Sequence, residues 1–268
     1  MNAAKRKKRK KRNLGILWVI LAFALATTWF FRYDIQKLLN RPSEGAQHLA
    51  WYQSKLKQYE NYGIDVSEYQ EDIDWEKLAN ETDIQFVFIR ATAGKNKKDT
   101  KFDYNWEEAH KHGFVCGAYH YYRPNENSLD QVSNFVEHVR LKKGDLPPVV
   151  DIERYSSIQS VSSLLTGVLK FLMVCERFYG VTPIIYTYKS FYENQIRNDS
   201  RFDKYTVWIA WYNVEGNPSD INENWMFWQF TDRGIVPGIE TPVDINVFCC
   251  DKKELQRLNI KDNRKAKE

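Results

Sequence analysis

Short apolar runs alternate with amphipathic stretches from residue 62 onward, and this alternation predicts strands and helices in turn. The runs that predict strands are Gly63–Val66, Phe86–Ala91, Val115–Tyr122, Pro148–Glu153, Pro183–Tyr188, Thr206–Trp211, Trp225–Phe230 and Val243–Val247. Helical patterns cover Trp75–Asn80, Tyr104–His112, Asn127–Lys142, Ser157–Tyr179 and Lys189–Asn194. Early strand–helix repeats indicate parallel strands, whereas loops join the last three strands.

Eight strands of this kind predict an α/β fold, a modified (β/α) barrel of about eight strands with its last helices missing. A flavodoxin-like sheet is the alternative fold, but no glycine-rich phosphate loop follows the first strand. We expect the barrel to occupy residues 61–260 and a polar tail to occupy residues 261–268.

The N-terminal region has a different pattern, in which a basic tail at residues 1–12 precedes an uncharged apolar stretch at residues 13–31. About 20 apolar residues span a bilayer as a helix, and basic residues before the span favour a cytoplasmic N-terminus. We therefore expect a transmembrane signal anchor, followed by a polar stalk at residues 32–60. A signal peptide cut after Ala26 is the alternative. In either case the rest of the chain is exported to the periplasm or the cell exterior.

Composition excludes several classes of protein. Apolar residues make up 43% of the chain and charged residues 28%, which is typical of a globular protein. The net charge of +4 arises from eight basic side chains in residues 1–12, so the remaining chain is acidic at −4, and a role in nucleic-acid binding would rest on the N-terminal tail alone.

Cysteine and histidine spacing gives no sign of a metal. The sequence has four cysteines, no CxxC pair and no HExxH motif, so we expect neither metal nor cofactor. A disulfide between the neighbours Cys249 and Cys250 looks improbable because of strain, and Cys116 is expected to be a buried thiol.

Four carboxylates lie at the ends of predicted strands or within them. Asp65 ends the first strand, Asp151 and Glu153 end the fourth, and Asp244 lies in the last. Side chains at the carboxyl ends of barrel strands line active sites, and residues two apart share a strand face. Carboxyl groups crowded into a dry cleft raise one another's pKa, so that one can hold a proton at neutral pH. Such a proton is what a glycosidic leaving oxygen requires, although ion pairing or helix capping would also explain these acids.

Aromatic side chains near the strand ends fit a sugar substrate, because flat rings stack on pyranose faces and tyrosine hydroxyls bond to sugar hydroxyls. The candidates for substrate binding are Tyr119, Tyr121, Tyr188 and Trp211, and Arg90 joins them at the end of the second strand. Tyr155 and Tyr212 lie in similar positions. His120 lies mid-strand, and we interpret it as a structural residue.

Several ordered motifs carry a family resemblance. They are GIDVSEYQ-x-DIDW, FVFIRATAG, GAYHYYRP, VVDIER, PIIYTY, VWIAWY and WQFTDRGIVPGIETPVDINVF, and they extend over about residues 62–250. In these motifs the chain resembles glycoside hydrolase family 25, the Chalaropsis-type lysozymes. The resemblance implies a modified barrel and hydrolysis of the β-1,4 bond between N-acetylmuramic acid and N-acetylglucosamine in peptidoglycan strands.

The resemblance also implies roles for the four acids. Glu153 would be the general acid/base, and Asp151 would stabilise or orient the substrate's acetamido group. Asp65 and Asp244 would be the further carboxylates of the pocket. Net retention is implied, with either an enzyme carboxylate or the substrate's acetamido oxygen as nucleophile. We expect a monomer.

One position departs from the family pattern: Ala93 stands where a glutamate is usual. This departure keeps open a non-catalytic glycan-binding protein on a lysozyme fold, and an enzyme for another N-acetylhexosamine polymer is a third possibility. The lysine-rich loop that follows contains Lys95, Lys97, Lys98 and Lys101. We expect this loop on the active-site face, where it could meet acidic stem peptides or simply remain solvated.

Overall fold

A computed structural model describes residues 53–212 and 225–260 of the chain. The strands are β1 (Asn61–Val66), β2 (Phe86–Ala93), β3 (Lys97–Lys98), β4 (Val115–Tyr121), β5 (Val149–Asp151), β6 (Ile184–Tyr188), β7 (Thr206–Ala210), β8 (Trp225–Gly234) and β9 (Val243–Phe248). The α-helices are α1 (Trp75–Glu81), α2 (Phe102–Lys111), α3 (Ser128–His138), α4 (Val161–Tyr179), α5 (Lys189–Phe191) and α6 (Lys252–Leu258). Short helical turns cover Glu68–Gln70, Tyr192–Ile196 and Ser200–Phe202.

Eight of these strands close into a barrel in the order β1-β2-β4-β5-β6-β7-β8-β9, and β9 pairs with β1 to complete the ring. The pairs from β1 to β8 are parallel, whereas β9 runs antiparallel to both neighbours. The two-residue strand β3 folds back on the end of β2. The modified barrel predicted from the sequence is confirmed, and the residues between β8 and β9 form turns and no helix.

Large aromatic side chains fill the lower part of the barrel. Phe88 stacks on Trp208 with ring centroids 4.3 Å apart, and Phe227 packs edge-on against Phe88 at 5.1 Å. Gly117 makes room for this cluster, because a Cβ at this position would lie 2.4 Å from a ring carbon of Phe88. The packing is close enough that one added methyl group at this position has no space.

Side-chain caps and a terminal glycine set the limits of the helices. Asp74, Asn127 and Ser160 cap the N-termini of α1, α3 and α4 by accepting bonds from backbone N–H groups. Gly180 ends α4 in the left-handed conformation at φ 69°. Helix α4 therefore begins at Val161, four residues after the predicted start, because Ser160 holds the N-cap position.

His120 bridges the barrel and α3 as a buried neutral side chain. Its Nδ1 lies 2.7 Å from Thr92 Oγ1, and its Nε2 lies 3.1 Å from Gln131 Oε1. Burial lowers the pKa of His120 to about 3. These contacts all lie between β2, β4 and α3, which fits the structural interpretation.

The segment just before β1 packs on the barrel. Tyr59, predicted to lie in the stalk, makes edge-on contacts with Trp225 and Trp228 of β8, each at 6.2 Å between centroids. Lys55 places its Nζ over the Trp228 ring at 5.7 Å. Residues that precede β1 thus cover part of β8.

The structure joins Cys249 and Cys250 in a disulfide between neighbours, so the expectation that this pairing is improbable was wrong. The chain bends directly after β9, where Cys249 N–H bonds to Met226 O and Cys250 O accepts from Asn61 Nδ2. The bend brings together two neighbouring side chains that would point to opposite faces of an extended strand. Cys116 is a buried thiol.

The predicted basic tail, the anchor at residues 13–31, most of the stalk and the C-terminal tail lie outside the described residues. Among the helices that the structure describes, none has the length and apolar character needed to cross a membrane.

Candidate active site

The interior of the barrel changes from apolar to polar toward the carboxyl ends of the parallel strands. On β2 the inward residues are Phe86, Phe88 and then Arg90, and on β6 Ile184 is followed by Tyr186 and Tyr188. Alternate residues of a strand share a face, so these strands place polar side chains above the aromatic cluster. The result is a cleft with a volume of about 280 Å³ at the carboxyl end of the barrel.

The cleft brings together all four predicted acids. The lining residues are Asp65, Ser67, Tyr69, Gln70, Arg90, Tyr119, Tyr121, Asp151, Glu153, Tyr186, Tyr188, Trp208, Tyr212, Gln229, Asp232 and Asp244. Eight of the nine predicted site residues are in this set. The exception is Trp211, whose ring lies beside Lys189 Nζ at 4.5 Å, and the next residue, Tyr212, lines the cleft instead.

Asp65 and Asp244 face each other across the antiparallel pair β1–β9 and share a side-chain hydrogen bond. Burial raises the pKa of Asp65 to about 6, although hydrogen bonds from Asn246, Gln229 and Asp244 oppose this effect. Burial and the neighbouring charge of Asp65 raise the pKa of Asp244 to about 9. Two adjacent carboxyl groups in a dry site therefore share one proton at neutral pH.

Asp151 and Glu153 form the second acidic pair, at and just beyond the end of β5. Asp151 is only 5% exposed, and its Oδ1 has no hydrogen-bond partner within the described residues. Burial and the charge of Glu153 raise the pKa of Asp151 well above its usual range. Glu153 is less buried, and burial likewise raises its pKa, against the opposing charge of Arg154. The environment of Glu153, which lines the cleft, therefore favours its protonated form.

Two amide side chains donate hydrogen bonds to Asp65. Gln229 Nε2 donates to Asp65 Oδ2 at 2.7 Å, and Asn246 Nδ2 donates to the same oxygen at 2.8 Å. Sequence reasoning missed both amides, because their contacts depend on the register of β8 and β9 against β1. It also missed the cleft residues Ser67, Tyr69, Gln70, Tyr186, Trp208 and Asp232. The motifs SEYQ, WQF and DIN contained most of these residues, but no pattern signalled their role.

Arg90 is fixed at the rim of the cleft by two carboxylates and a ring. Its Nε lies 2.7 Å from Asp99 Oδ2, its Nη2 lies 3.1 Å from Glu68 Oε1, and its guanidinium lies 4.6 Å from the Tyr69 ring centroid. A hydrogen bond from Lys97 is the largest influence on Glu68 and lowers its pKa to about 2. The planar guanidinium contacts the two carboxylates through two different nitrogens, a fork that an ammonium group lacks.

The lysine-rich loop is largely engaged within the protein. Lys97 pairs with Glu68, Lys98 with Asp103, and Lys101 with Asp72. The backbone of the loop folds back and forms the short β3 pairing with β2. The structure therefore favours a structural role for these three lysines over contact with stem peptides.

Tyrosines form the walls of the cleft. Burial raises the pKa of Tyr119 well above its usual range and that of Tyr188 to about 12, so both hydroxyls stay neutral hydrogen-bonding groups. Tyr69 is 68% exposed at the rim and presents an open ring face. Flat rings and neutral hydroxyls of this kind suit a carbohydrate.

No group of three His, Cys, Asp or Glu side chains in residues 53–212 and 225–260 has the geometry of a metal site. Paired carboxyl groups with raised pKa values, in a tyrosine-walled cleft at the carboxyl end of a barrel, define the class of glycoside hydrolases.

Comparison with known proteins agrees with this class. The family "Glycosyl hydrolases family 25" matches residues 64–239. The uncharacterized protein YegX of Escherichia coli K12 is 38% identical over 202 residues, which cover 74% of this chain and 73% of YegX. Lysozyme M1 of Streptomyces globisporus is 32% identical over 198 residues, covering 69% of this chain and 67% of that protein. A family 25 glycosyl hydrolase structure from Bacillus anthracis matches with a TM-score of 0.68 and 31% identity, covering 75% of this chain and 94% of the other.

The chain belongs to glycosyl hydrolase family 25 and is a glycoside hydrolase of the lysozyme type. The family resemblance seen in the sequence motifs is thereby confirmed.

Proposed function

We propose that this protein is an N-acetylmuramidase that hydrolyses the β-1,4 bond between N-acetylmuramic acid and N-acetylglucosamine in peptidoglycan. The observation that carries this proposal is the pair Asp151 and Glu153 at the carboxyl end of β5, with Glu153 accessible from the cleft and Asp151 buried beneath it. Lysozyme M1, whose name denotes the same activity, supports it.

In the proposed mechanism Glu153 is the general acid. The raised pKa favours its protonated form, which can donate a proton to the glycosidic oxygen as the bond to the anomeric carbon breaks. The resulting carboxylate then takes a proton from the water that completes hydrolysis. Asp151 orients the substrate's acetamido group, and its buried, unpartnered Oδ1 is a suitable acceptor or donor for that group.

We propose net retention at the anomeric carbon. A carboxylate of the cleft or the acetamido oxygen of the substrate can serve as the nucleophile, and both routes invert the centre twice. Tyr119, Tyr121, Tyr188 and Arg90 contribute binding contacts along the cleft, and Tyr69 supplies a stacking surface at its rim.

Product analysis tests the proposed bond specificity. Purified sacculi are digested with the full-length protein in detergent, and the products are reduced and resolved by mass. Reduced N-acetylmuramic acid at the new ends is expected, and proton NMR at early times should show the β-anomer first. Reduced N-acetylglucosamine would instead assign the enzyme to the other β-1,4 bond. Sacculi that bind the protein without being cut would support the glycan-binding alternative, for which Ala93 is the sequence argument.

We also propose that residues 13–31 anchor the enzyme in the cytoplasmic membrane with the barrel outside. The uncharged sequence of this stretch and the basic residues before it support this topology. The protein should fractionate with membranes at its full mass, and external protease should digest it in spheroplasts. A mature form starting at residue 27 would show that a signal peptide is removed instead.

A further inference from the structure

Two buried amides donate to a single oxygen of Asp65. Gln229 is 2% exposed and Asn246 is fully buried, and their Nε2 and Nδ2 atoms both lie within 2.8 Å of Asp65 Oδ2. A carboxyl oxygen that accepts two N–H bonds has no room for a proton of its own. The proton is therefore excluded from Oδ2, and the two N–H bonds to this oxygen favour the ionised form of Asp65.

Other donors fix the orientation of both amides. The indole Nε1–H of Trp208 can only donate, and it lies 2.8 Å from Asn246 Oδ1, so the Asn246 NH₂ group must face Asp65. The hydroxyls of Tyr186, at 2.7 Å, and of Tyr212 donate to Gln229 Oε1, which turns the Gln229 NH₂ group toward Asp65 as well. Neither amide can flip without leaving a buried donor without a partner.

We propose that Gln229 and Asn246 are positioning residues that hold the negative charge of the Asp65–Asp244 pair on Asp65 and leave the shared proton on Asp244. Asp65 has two oxygens, and because Oδ2 is occupied by the amides, the other one is free to accept the hydrogen bond from Asp244. The role of this arrangement in catalysis rests on the proposed muramidase function.

The charge on Asp65 acts on the general acid. The titratable groups that interact with Asp65 are Asp244 on β9, Asp151 and Glu153 at β5, Tyr119 on β4, Tyr186 on β6 and Tyr212 after β7. A negative Asp65 raises the pKa of Glu153. The two amides thus help to keep Glu153 protonated, although neither one touches the glycosidic bond.

The pH dependence of kcat/KM tests this role in the full-length enzyme. Gln229→Met keeps the length of the side chain, and Asn246→Leu keeps roughly its volume, and each removes one donor to Asp65. In each variant the acidic limb should move up by about one pH unit, because Asp65 ionises less readily. The basic limb should move down, because Glu153 loses part of the field that holds its proton.

A matched control is Gln131→Met, which removes another buried amide, one that contacts His120 outside the cleft. This variant should lower the melting temperature and leave both limbs in place. If Gln229→Met and Asn246→Leu lower kcat at every pH without moving either limb, the two amides are merely structural and the proposal is wrong.

Carboxyl ¹³C NMR gives a readout that does not need activity. Asp65 and Asp244 are assigned with Asp65→Asn and Asp244→Asn, and wild type is compared with Gln229→Met. We expect Asp65 to ionise before Asp244 in wild type and its midpoint to rise in the variant. Ionisation of Asp244 first, or an unchanged Asp65 midpoint, would overturn the proposal. An inactive wild type with the expected titration would contradict the muramidase function alone.

Discussion

Replacement of Glu71 by glycine should stabilise the protein. Glu71 follows the helical turn Glu68–Gln70 and has φ 56° and ψ −128°, a backbone conformation that side chains with a Cβ rarely adopt. Its side chain is exposed, so little packing is lost with it. The preceding residues Tyr69 and Gln70 line the cleft, which places this strained backbone at the rim of the active site.

The expected gain follows from two opposing effects. A non-glycine residue in such a region costs about 1–3 kcal/mol, and glycine relieves this strain. Glycine also gives the unfolded chain more freedom, which costs about 0.5–1 kcal/mol. The free energy of unfolding should therefore rise by about 1 kcal/mol, equivalent to an increase of about 2–4 °C in melting temperature for a domain of this size.

Calorimetry of the full-length protein in detergent measures this change, and Glu71→Ala is the matched control. Alanine removes the carboxylate but keeps the Cβ, so its melting temperature should stay within about 1 °C of wild type. An equal gain in both variants would show that the charge of Glu71, and not its backbone conformation, is unfavourable. A loss of stability in Glu71→Gly would refute the strain argument itself.

Three further predictions concern buried groups. The pKa of His120 is about 3 in the folded protein and about 6.5 when unfolded, so the contribution of neutral His120 to the free energy of unfolding is complete above pH 6.5 and is lost toward pH 3. In urea unfolding, His120→Gln should therefore reduce the slope of the free energy of unfolding against pH by about 1 kcal/mol per pH unit in this range. Arg90→Lys should lower the free energy of unfolding by about 1–2 kcal/mol in the same assay, because a single ammonium nitrogen lacks the fork that contacts both carboxylate partners. An unchanged value would contradict the role of the guanidinium fork. Gly117→Ala should cost about 1–3 kcal/mol in thermal unfolding through overlap with Phe88, and a neutral effect would mean that the aromatic cluster can shift.

Most of the barrel could be predicted from its sequence, because apolar runs bounded by polar turns mark strands whatever their partners are. All eight predicted strands are present, and their limits agree to within two residues except at the end of β8, which extends four residues beyond the predicted Phe230. The strand β3 could not be predicted, since Lys97 and Lys98 carry no apolar pattern and their strand is only two residues long. The disulfide between Cys249 and Cys250 depends on a bend that no local signal announces.

The acids of the site could be located because strand ends in a barrel converge on one face. Which side chains hold those acids depends on contacts between residues far apart in the chain, such as Asn246 with Asp65 across the β1–β9 pair. The orientation of Trp211 and Tyr212 could not be predicted for a similar reason. Strand β7 ends at Ala210, and the chain beyond it turns Tyr212 into the cleft and leaves Trp211 beside Lys189.

The most direct test of the account is the rate at which Glu153→Gln releases soluble muropeptides from purified peptidoglycan, compared with wild type at equal folded concentration. Glutamine keeps the shape of Glu153 but has no proton to donate, so the rate should fall by about 10²–10⁴-fold while binding to sacculi persists. The control Glu176→Gln changes a surface carboxylate paired with Lys204 and should retain full activity. A Glu153→Gln enzyme with near wild-type turnover would contradict the assignment of Glu153 as the general acid.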